Sequence, residues 1–135
     1  MFYVTRRETF SAAHRLFNSK LSDKENEKLY GKCSNPNWHG HNYTLEVIVA
    51  GEINPTTGYV IDLKILKQII IDNVIKKVDH KNLNIDTDFM AGKISTAENI
   101  AVAIWEELKT KIPSGKLYSV KIYETENNYF EYRGD

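Results

Sequence analysis

The sequence contains four histidines, and three of them have positions that could form a metal site. His39 and His41 flank Gly40 in WHGHNY, at the start of a predicted strand, where residues two apart point the same way. Two imidazoles on one face can share a cation, although such a pair also occurs where nothing is bound. His14 lies in FSAAHRL, just past the end of the first predicted strand, so pairing of the two strands would add a third imidazole. Three histidines with an open fourth position are typical of catalytic zinc, whereas the alternative for His14 is an ordinary polar residue at a strand end.

Three more residues could move protons beside such a metal. Cys33 precedes His39 by six residues in CSNPNWHGH, and a thiolate near a metal and a histidine can act as a base. The alternative is that Cys33 is a small buried residue. Asp79 and His80 directly follow a predicted helix and could form an acid–base pair, although the dipeptide alone is not specific.

Predicted strands and helices must bring these side chains together. Alternating, β-branched and aromatic residues predict four strands. They cover residues 2–10, 41–51, 117–124 and 129–133. Asp62 is the predicted N-cap of a first helix with a wide apolar stripe. Ser95 and Glu98 have the spacing of a capping box and predict the start of a second helix.

This order of elements predicts an α+β fold in which two helices cover one face of a four-stranded antiparallel sheet. The polar segment 18–32 predicts a long surface excursion with a short helical turn. A chain of 135 residues has the length of one domain, so we expect a single domain over 1–135.

The composition excludes several classes of function. Eighteen basic residues balance eighteen acidic ones, whereas nucleic-acid-binding proteins normally have a basic excess. No apolar run approaches the roughly 20 residues of a membrane span, and the first residues lack the apolar core of a secretory signal. One cysteine cannot form an intrachain disulfide. We therefore expect a cytoplasmic protein with neither a nucleic-acid nor a membrane partner.

Six segments of the chain occur together in one known enzyme family. They are FSAAHRL, GKCSNPNWHGHNY, GEINPTTGYVIDL, VDHKNLN, STAENIAV and VKIYETENN. In order and spacing they resemble 6-pyruvoyl-tetrahydropterin synthases, over roughly residues 5–134. Members of that family convert 7,8-dihydroneopterin triphosphate to 6-pyruvoyl-tetrahydropterin with loss of triphosphate, on the route to tetrahydrobiopterin.

The resemblance implies a role for each candidate residue. The zinc ligands would be His14, His39 and His41, the catalytic group Cys33, Asp79 and His80, and the pterin-binding residues Glu124, Thr96 and Glu98. A carboxylate at Glu124 suits the paired N–H donors of a pterin, although a glutamate near a hairpin is usually only solvated. For Glu98, the capping box is a sufficient alternative explanation.

The resemblance also implies an assembly. Family members have the tunnelling T-fold, in which the strands of three subunits close a barrel and two trimers stack as a homohexamer. The active sites lie between subunits, with the cysteine and the Asp–His pair on different chains. One Zn²⁺ per subunit is implied, and the resemblance leaves open whether Mg²⁺ accompanies the triphosphate.

Two other functions remain open from the sequence. A sister family, 6-carboxy-tetrahydropterin synthase of queuosine biosynthesis, uses the same substrate, metal and thiol. Its typical members have a shorter segment between the cysteine and the HGH pair than residues 34–38 here, which favours the pyruvoyl product. Trp38 departs from the small residue that animal members of the biopterin enzyme carry. The second alternative, a non-catalytic pterin binder, is disfavoured by the intact Cys33, Asp79 and His80.

Overall fold

The computed structural model describes all residues, 1–135, and its centre is a five-stranded sheet in the order β3-β1-β2-β4-β5. The strands are β1 (Phe2–His14), β2 (His39–Gly51), β3 (Lys81–Asn82), β4 (Lys116–Thr125) and β5 (Asn128–Tyr132). Neighbouring strands from β1 through β2 and β4 to β5 are antiparallel, and β3 is parallel to β1. The four predicted strands are present, but the predicted four-stranded, wholly antiparallel sheet is wrong.

The unpredicted strand, β3, is only two residues long, so the sequence shows no strand pattern there. Lys81 and Asn82 pair with Ala12 and Ala13 near the end of β1. A strand of this length cannot show the alternation by which strands are recognised. β3 nevertheless matters for the site because it follows the Asp79–His80 dipeptide directly.

Helices occupy the connections between the strands. They are α1 (Asp23–Tyr30), α2 (Leu63–Ile70), α3 (Lys76–Val78) and α4 (Ala97–Leu108). A π-helical turn (Ile71–Ile75) joins α2 to α3, and 3₁₀ turns lie at Gly31–Ser34 and Asp88–Met90. α1 is the short helix expected within the polar excursion. None of these helices has the length and apolarity needed to cross a membrane.

One face of the sheet carries the hydrophobic core. Alternate residues of β2, including Tyr43, Leu45 and Val47, are completely buried there. The apolar stripes of α2 and α4 belong to the same cluster, with Leu66 and Ile104 as examples. Both predicted helices therefore pack on the face that the alternation of β2 defines, and this packing holds the first turn of α4 near the sheet.

The first strand is longer than its residue pattern indicates. The prediction ended it at Phe10, whereas β1 continues to His14, in register with His39 at the start of β2. Ser11, Ala12 and Ala13 have little β propensity, so the end of the strand is decided by pairing with β2. The predicted pairing of the strands that carry His14 and His41 is confirmed.

The predicted cap of α4 is wrong by one residue. Thr96 is the N-cap, and its hydroxyl accepts a hydrogen bond from the Asn99 amide at 3.2 Å. Ser95 lies one residue earlier and is completely buried, so Ser95 and Glu98 form no capping box. The chain's capping box is at α1, between Ser22 and Glu25.

The cap of α2 is where the sequence placed it. The Asp62 carboxylate accepts a hydrogen bond from the Lys64 amide at 2.8 Å and satisfies one of the free donors of the first turn.

Candidate active site and metal centre

Three histidines meet where β1 ends and β2 begins. His14 and His39 are directly paired across the two strands, and His41 follows two residues along β2 on the same face. The ring centroids are 4.6 Å apart for His14 and His39, 5.1 Å for His14 and His41, and 5.0 Å for His39 and His41. One ring nitrogen from each lies within 4.8 Å of the others. The predicted convergence of the three imidazoles is therefore present, and it creates a candidate metal centre.

The surroundings lower the pKa of two of the three rings, His14 and His39. Burial lowers the pKa of His14 to about 4, and a hydrogen bond of its Nδ1 with the Ser95 carbonyl, at 2.8 Å, only partly opposes this. The pKa of His39 is also lowered, by burial and by the neighbouring His41. Because a metal binds only the unprotonated nitrogen, low pKa values favour binding near neutral pH.

The donor atoms fit a cation. Nδ1 of His39 and Nε2 of His41 are both buried and have no hydrogen-bond partner. Buried polar atoms without a partner are costly and rare, and a shared metal ion would satisfy both. The Tyr43 hydroxyl lies 3.3 Å from Nε2 of His14 and closes the cluster towards the core. Three imidazoles that converge in this way can hold a metal ion.

A carboxylate from β4 lies beside the histidines. The Glu124 Oε2 atom is 3.3 Å from Nε2 of His41, outside hydrogen-bond geometry. Burial raises the pKa of Glu124, His41 opposes the shift, and the charge of Glu98 adds to it. Glu98 is exposed in the first turn of α4, and the Thr96 hydroxyl is used as the helix cap. The fold thus brings Glu124 to the metal centre with Glu98 within electrostatic range.

Hydrogen bonds tie the turn that carries Cys33 to the chain just after His14. It is exposed in the 3₁₀ turn, and its carbonyl accepts a hydrogen bond from the Leu16 amide at 2.7 Å, two residues after His14. The next carbonyl, that of Ser34, accepts a bond from the Arg15 guanidinium at 2.8 Å. An exposed thiol on a tethered turn is available to react, unlike a buried packing residue.

Asp79 and His80 form a real pair. The His80 Nδ1 atom lies 3.1 Å from Asp79 Oδ2, while Asp79 Oδ1 accepts a hydrogen bond from the Ser11 amide at 2.9 Å. That bond, and to a lesser degree His80, lowers the pKa of Asp79. His80 has φ +59°, a left-handed conformation that non-glycine residues rarely adopt, and its imidazole is 83% exposed. Strain of this kind concentrates at functional sites.

A shallow surface cavity lies between His80 and one of the three histidines, His41. It has a volume of about 500 Å³, and its lining includes His41, Asn42 and His80. Within one chain, the cavity therefore lies between His41 of β2 and the segment that contains Asp79 and His80. The lining of this cavity does not include Cys33.

Several supporting groups were not predicted from the sequence. The Ser11 amide orients Asp79, the Tyr43 hydroxyl touches His14, and the Ser95 carbonyl binds the His14 ring. No local pattern marks them: the Ser11 and Ser95 groups belong to the main chain, which every residue has, and the contact of Tyr43 with His14 forms only when the strands pair. Trp38, the unusual residue before His39, has φ +67°, and its ring lies 5.8 Å from the Arg15 guanidinium carbon.

The fold and this cluster define the class: an α+β chain with a candidate three-histidine metal centre between paired strands. A family model described as 6-pyruvoyl tetrahydropterin synthase matches residues 3–135. The chain therefore belongs to the 6-pyruvoyl tetrahydropterin synthase family.

Individual relatives are similar in sequence to this chain over nearly its whole length. The 6-pyruvoyl tetrahydrobiopterin synthases of Pongo abelii and Homo sapiens are each 52% identical over 132 residues, covering 98% of this chain and 91% of the relative. The structure of Caenorhabditis elegans 6-pyruvoyl tetrahydropterin synthase is similar with a TM-score of 0.93 and 45% identity, covering 99% of this chain and 96% of that chain. The similarity thus includes every element that contributes to the site.

Proposed function

We propose that the chain is a 6-pyruvoyl-tetrahydropterin synthase, a lyase that converts 7,8-dihydroneopterin triphosphate to 6-pyruvoyl-tetrahydropterin and eliminates triphosphate. The observation that carries this proposal is the match to the family model over residues 3–135, with relatives of that name at 52% identity. The histidine cluster, Cys33 and the Asp79–His80 pair supply groups suited to the chemistry.

The proposed metal is zinc, held by His14, His39 and His41. All three are imidazoles on one sheet face, and a site with three protein ligands leaves room for the substrate. When bound, the ion supplies Lewis acidity to side-chain oxygens of the substrate and so acidifies the adjacent C–H bonds.

Proton transfer is assigned to Cys33, Asp79 and His80. The Cys33 thiolate removes a proton from an acidified side-chain carbon. Asp79, fixed by the Ser11 amide, orients the His80 ring through Nδ1, so the exposed Nε2 can exchange protons during the internal redox shift and the triphosphate elimination. The shift oxidises the side chain while it reduces the ring, so no external oxidant is required.

Glu124 is proposed to anchor the pterin. Two parallel bonds from the aminopyrimidine edge to one carboxylate fix the orientation of the ring next to His41. Thr96 and Glu98 are proposed to lie along the same pocket, since both are at the start of α4 and Glu98 is close enough to influence the pKa of Glu124.

The proposed assembly is a homohexamer of two barrel-forming trimers, located in the cytoplasm. Support comes from the two open edges of the sheet, which are β5 on one side and most of β1 on the other, because β3 covers only Ala12 and Ala13. Unpaired edges bond readily to further strands. In the assembly that the resemblance implies, the Cys33 of one chain lies beside the Asp79–His80 pair of another.

The test is product analysis with the purified protein. Dihydroneopterin triphosphate is incubated with it, with and without Mg²⁺, and the products are weighed by mass spectrometry. A pyruvoyl side chain with released triphosphate supports the proposal. A carboxylate product would favour the sister activity, and no triphosphate release would contradict both.

The Cys33→Ala variant tests the thiol. We expect it to keep its bound metal and its oligomeric state while losing turnover by at least about 100-fold, the range for removal of a proton-transferring group. Metal content by elemental analysis and mass by light scattering are the controls. Normal turnover in this variant would contradict the role of the thiolate.

A further inference from the structure

We propose that Ser95 and Asn84 are positioning residues of the metal centre, which hold His14 so that its Nε2 atom faces the metal. The inference rests on the proposed metal binding by the three histidines. It concerns two residues to which neither the resemblance nor the proposed mechanism gives a role.

Ser95 connects to His14 at the ring. It is completely buried and does not cap α4, so the usual reason for a serine at a helix start does not apply. Its carbonyl is 2.8 Å from Nδ1 of His14. A carbonyl can only accept, so the proton of a neutral His14 is on Nδ1 and the lone pair is on Nε2.

The hydroxyl of Ser95 keeps that carbonyl in place. It lies 2.9 Å from Oδ1 of Asn84 and 3.1 Å from the carbonyl oxygen of Arg15, the residue after His14. Its single proton is shared between these two acceptors. Ser95 is thereby fixed to the strand end that carries the ligand.

Asn84 holds the main chain at Arg15, the residue that follows His14. Its Oδ1 atom accepts a hydrogen bond from the Arg15 amide at 3.1 Å, and its Nδ2 atom donates to the Arg15 carbonyl at 3.0 Å. The Leu83 amide donates to Ala13 at 2.8 Å, so the side-chain amide of Asn84 extends the pairing of β1 beyond its last strand residue.

Together the two residues restrict both the backbone and the ring of His14. After His14, β1 has no further partner in β2, because no residue of β2 is paired beyond His39, and the bonds of Ser95 and Asn84 to Arg15 replace the strand pairing at that point. Partners that orient a metal-ligating histidine typically contribute about 10- to 100-fold to metal affinity. The structure therefore predicts that metal binding depends on side chains that do not touch the metal.

The experiment measures Zn²⁺ affinity of the full-length chain by competition with a chromophoric chelator, after removal of metal. The variants are Ser95→Ala and Asn84→Ala, and the matched control is Ser119→Ala. Ser119 is also completely buried, and its hydroxyl donates one bond, to Glu131 at 2.8 Å, away from the histidines. The visible spectrum of the Co²⁺-loaded protein reports the geometry of the site, and thermal unfolding of the metal-free protein reports stability.

We expect Ser95→Ala and Asn84→Ala to weaken Zn²⁺ binding by about 10- to 100-fold and to change the Co²⁺ spectrum. Ser119→Ala is expected to lose comparable stability while both metal readouts stay as in the unmodified chain. Equal Zn²⁺ affinities in Ser95→Ala, Asn84→Ala and Ser119→Ala would overturn the inference. An unmodified chain that binds no Zn²⁺ would instead overturn the proposed metal centre itself.

A milder variant keeps the test usable if the alanine variants do not fold. Asn84→Asp retains the shape and the Oδ1 acceptor for the Arg15 amide but cannot donate to the Arg15 carbonyl. We expect it to fold and to weaken Zn²⁺ binding by about 10-fold. Unchanged affinity and an unchanged Co²⁺ spectrum in this variant would contradict the role of Asn84.

Discussion

The imidazole of His80 combines exposure with backbone strain. Its φ of +59° places it in the left-handed region, and its side chain contributes almost no packing because it is 83% exposed. A residue kept for stability would not have this combination, since the conformation costs free energy and the ring contacts little. Its partner Asp79 is anchored to β1 through the Ser11 amide, so the strain serves to present the ring.

Replacement of His80 by glycine and by alanine should separate stability from activity. Both variants lose the ring, so we expect both to lose turnover. Glycine adopts a positive φ freely, so His80→Gly should be more stable than His80→Ala by about 0.5 to 1 kcal/mol. Denaturant unfolding measures the difference. A His80→Ala variant that is as stable as His80→Gly would show that the backbone is not strained.

The helix α4 was predicted correctly, but its predicted N-cap, Ser95, was wrong. Ser95 and Glu98 match a capping-box spacing, but the next residue, Thr96, matches the needs of an N-cap equally well. Tertiary contacts decide between them, because the Ser95 hydroxyl is already bonded to Asn84 and Arg15. The helix therefore begins one residue later, and Glu98 remains free of the cap.

Two substitutions test which residue caps α4. Thr96→Ala removes the hydroxyl that accepts from the Asn99 amide, and we expect the free energy of unfolding to fall by about 1 kcal/mol. Glu98→Gln, the matched control, changes an exposed residue that makes no capping bond and should stay within about 0.5 kcal/mol. Chemical denaturation of both variants gives the comparison. A larger loss for Glu98→Gln than for Thr96→Ala would restore the capping box.

At the scale of the whole molecule, the sheet has unpaired main-chain groups at both edges, along β5 and along most of β1. The main-chain N–H and C=O of Ser11 point away from β2, towards Asp79 and His80. Hydrogen-bonding direction alternates along an antiparallel strand, and the β1–β2 register has no shift. The main-chain N–H and C=O groups of odd-numbered residues of β1 therefore point to the open edge of the sheet. Those of even-numbered residues form hydrogen bonds with β2.

A pair of proline substitutions tests whether the open edge of β1 forms subunit contacts. Thr5→Pro removes an N–H on the open edge, so we expect a folded chain that fails to assemble. Arg6→Pro removes an N–H directed at β2, so we expect it to destabilise the fold through the loss of a ladder hydrogen bond. Light scattering and circular dichroism distinguish the two results. A Thr5→Pro variant with the oligomeric state of the unmodified chain would contradict assembly through this edge.

Much of the site could be predicted from the sequence, because its chemistry depends on residue type and on strand geometry. The HGH pair must project both rings to one face, and the antiparallel pairing of two predicted strands is enough to add His14. The strands, both main helices and the family resemblance follow from periodicity and motif order. The family match confirms the resemblance, and the convergence of the three histidines confirms the expected pairing of their strands.

Only the tertiary structure decided where β1 ends, that β3 exists, which residue caps α4 and what supports the ligands. The Ser95 carbonyl and His14 are 81 positions apart, Asn84 and Arg15 are 69 apart, and Asp79 and Ser11 are 68 apart. Local propensity has no information about such contacts, because they form only after the core has packed and involve main-chain groups that every residue has. The sequence by itself thus determined which groups can do chemistry, and packing determined how firmly each is held.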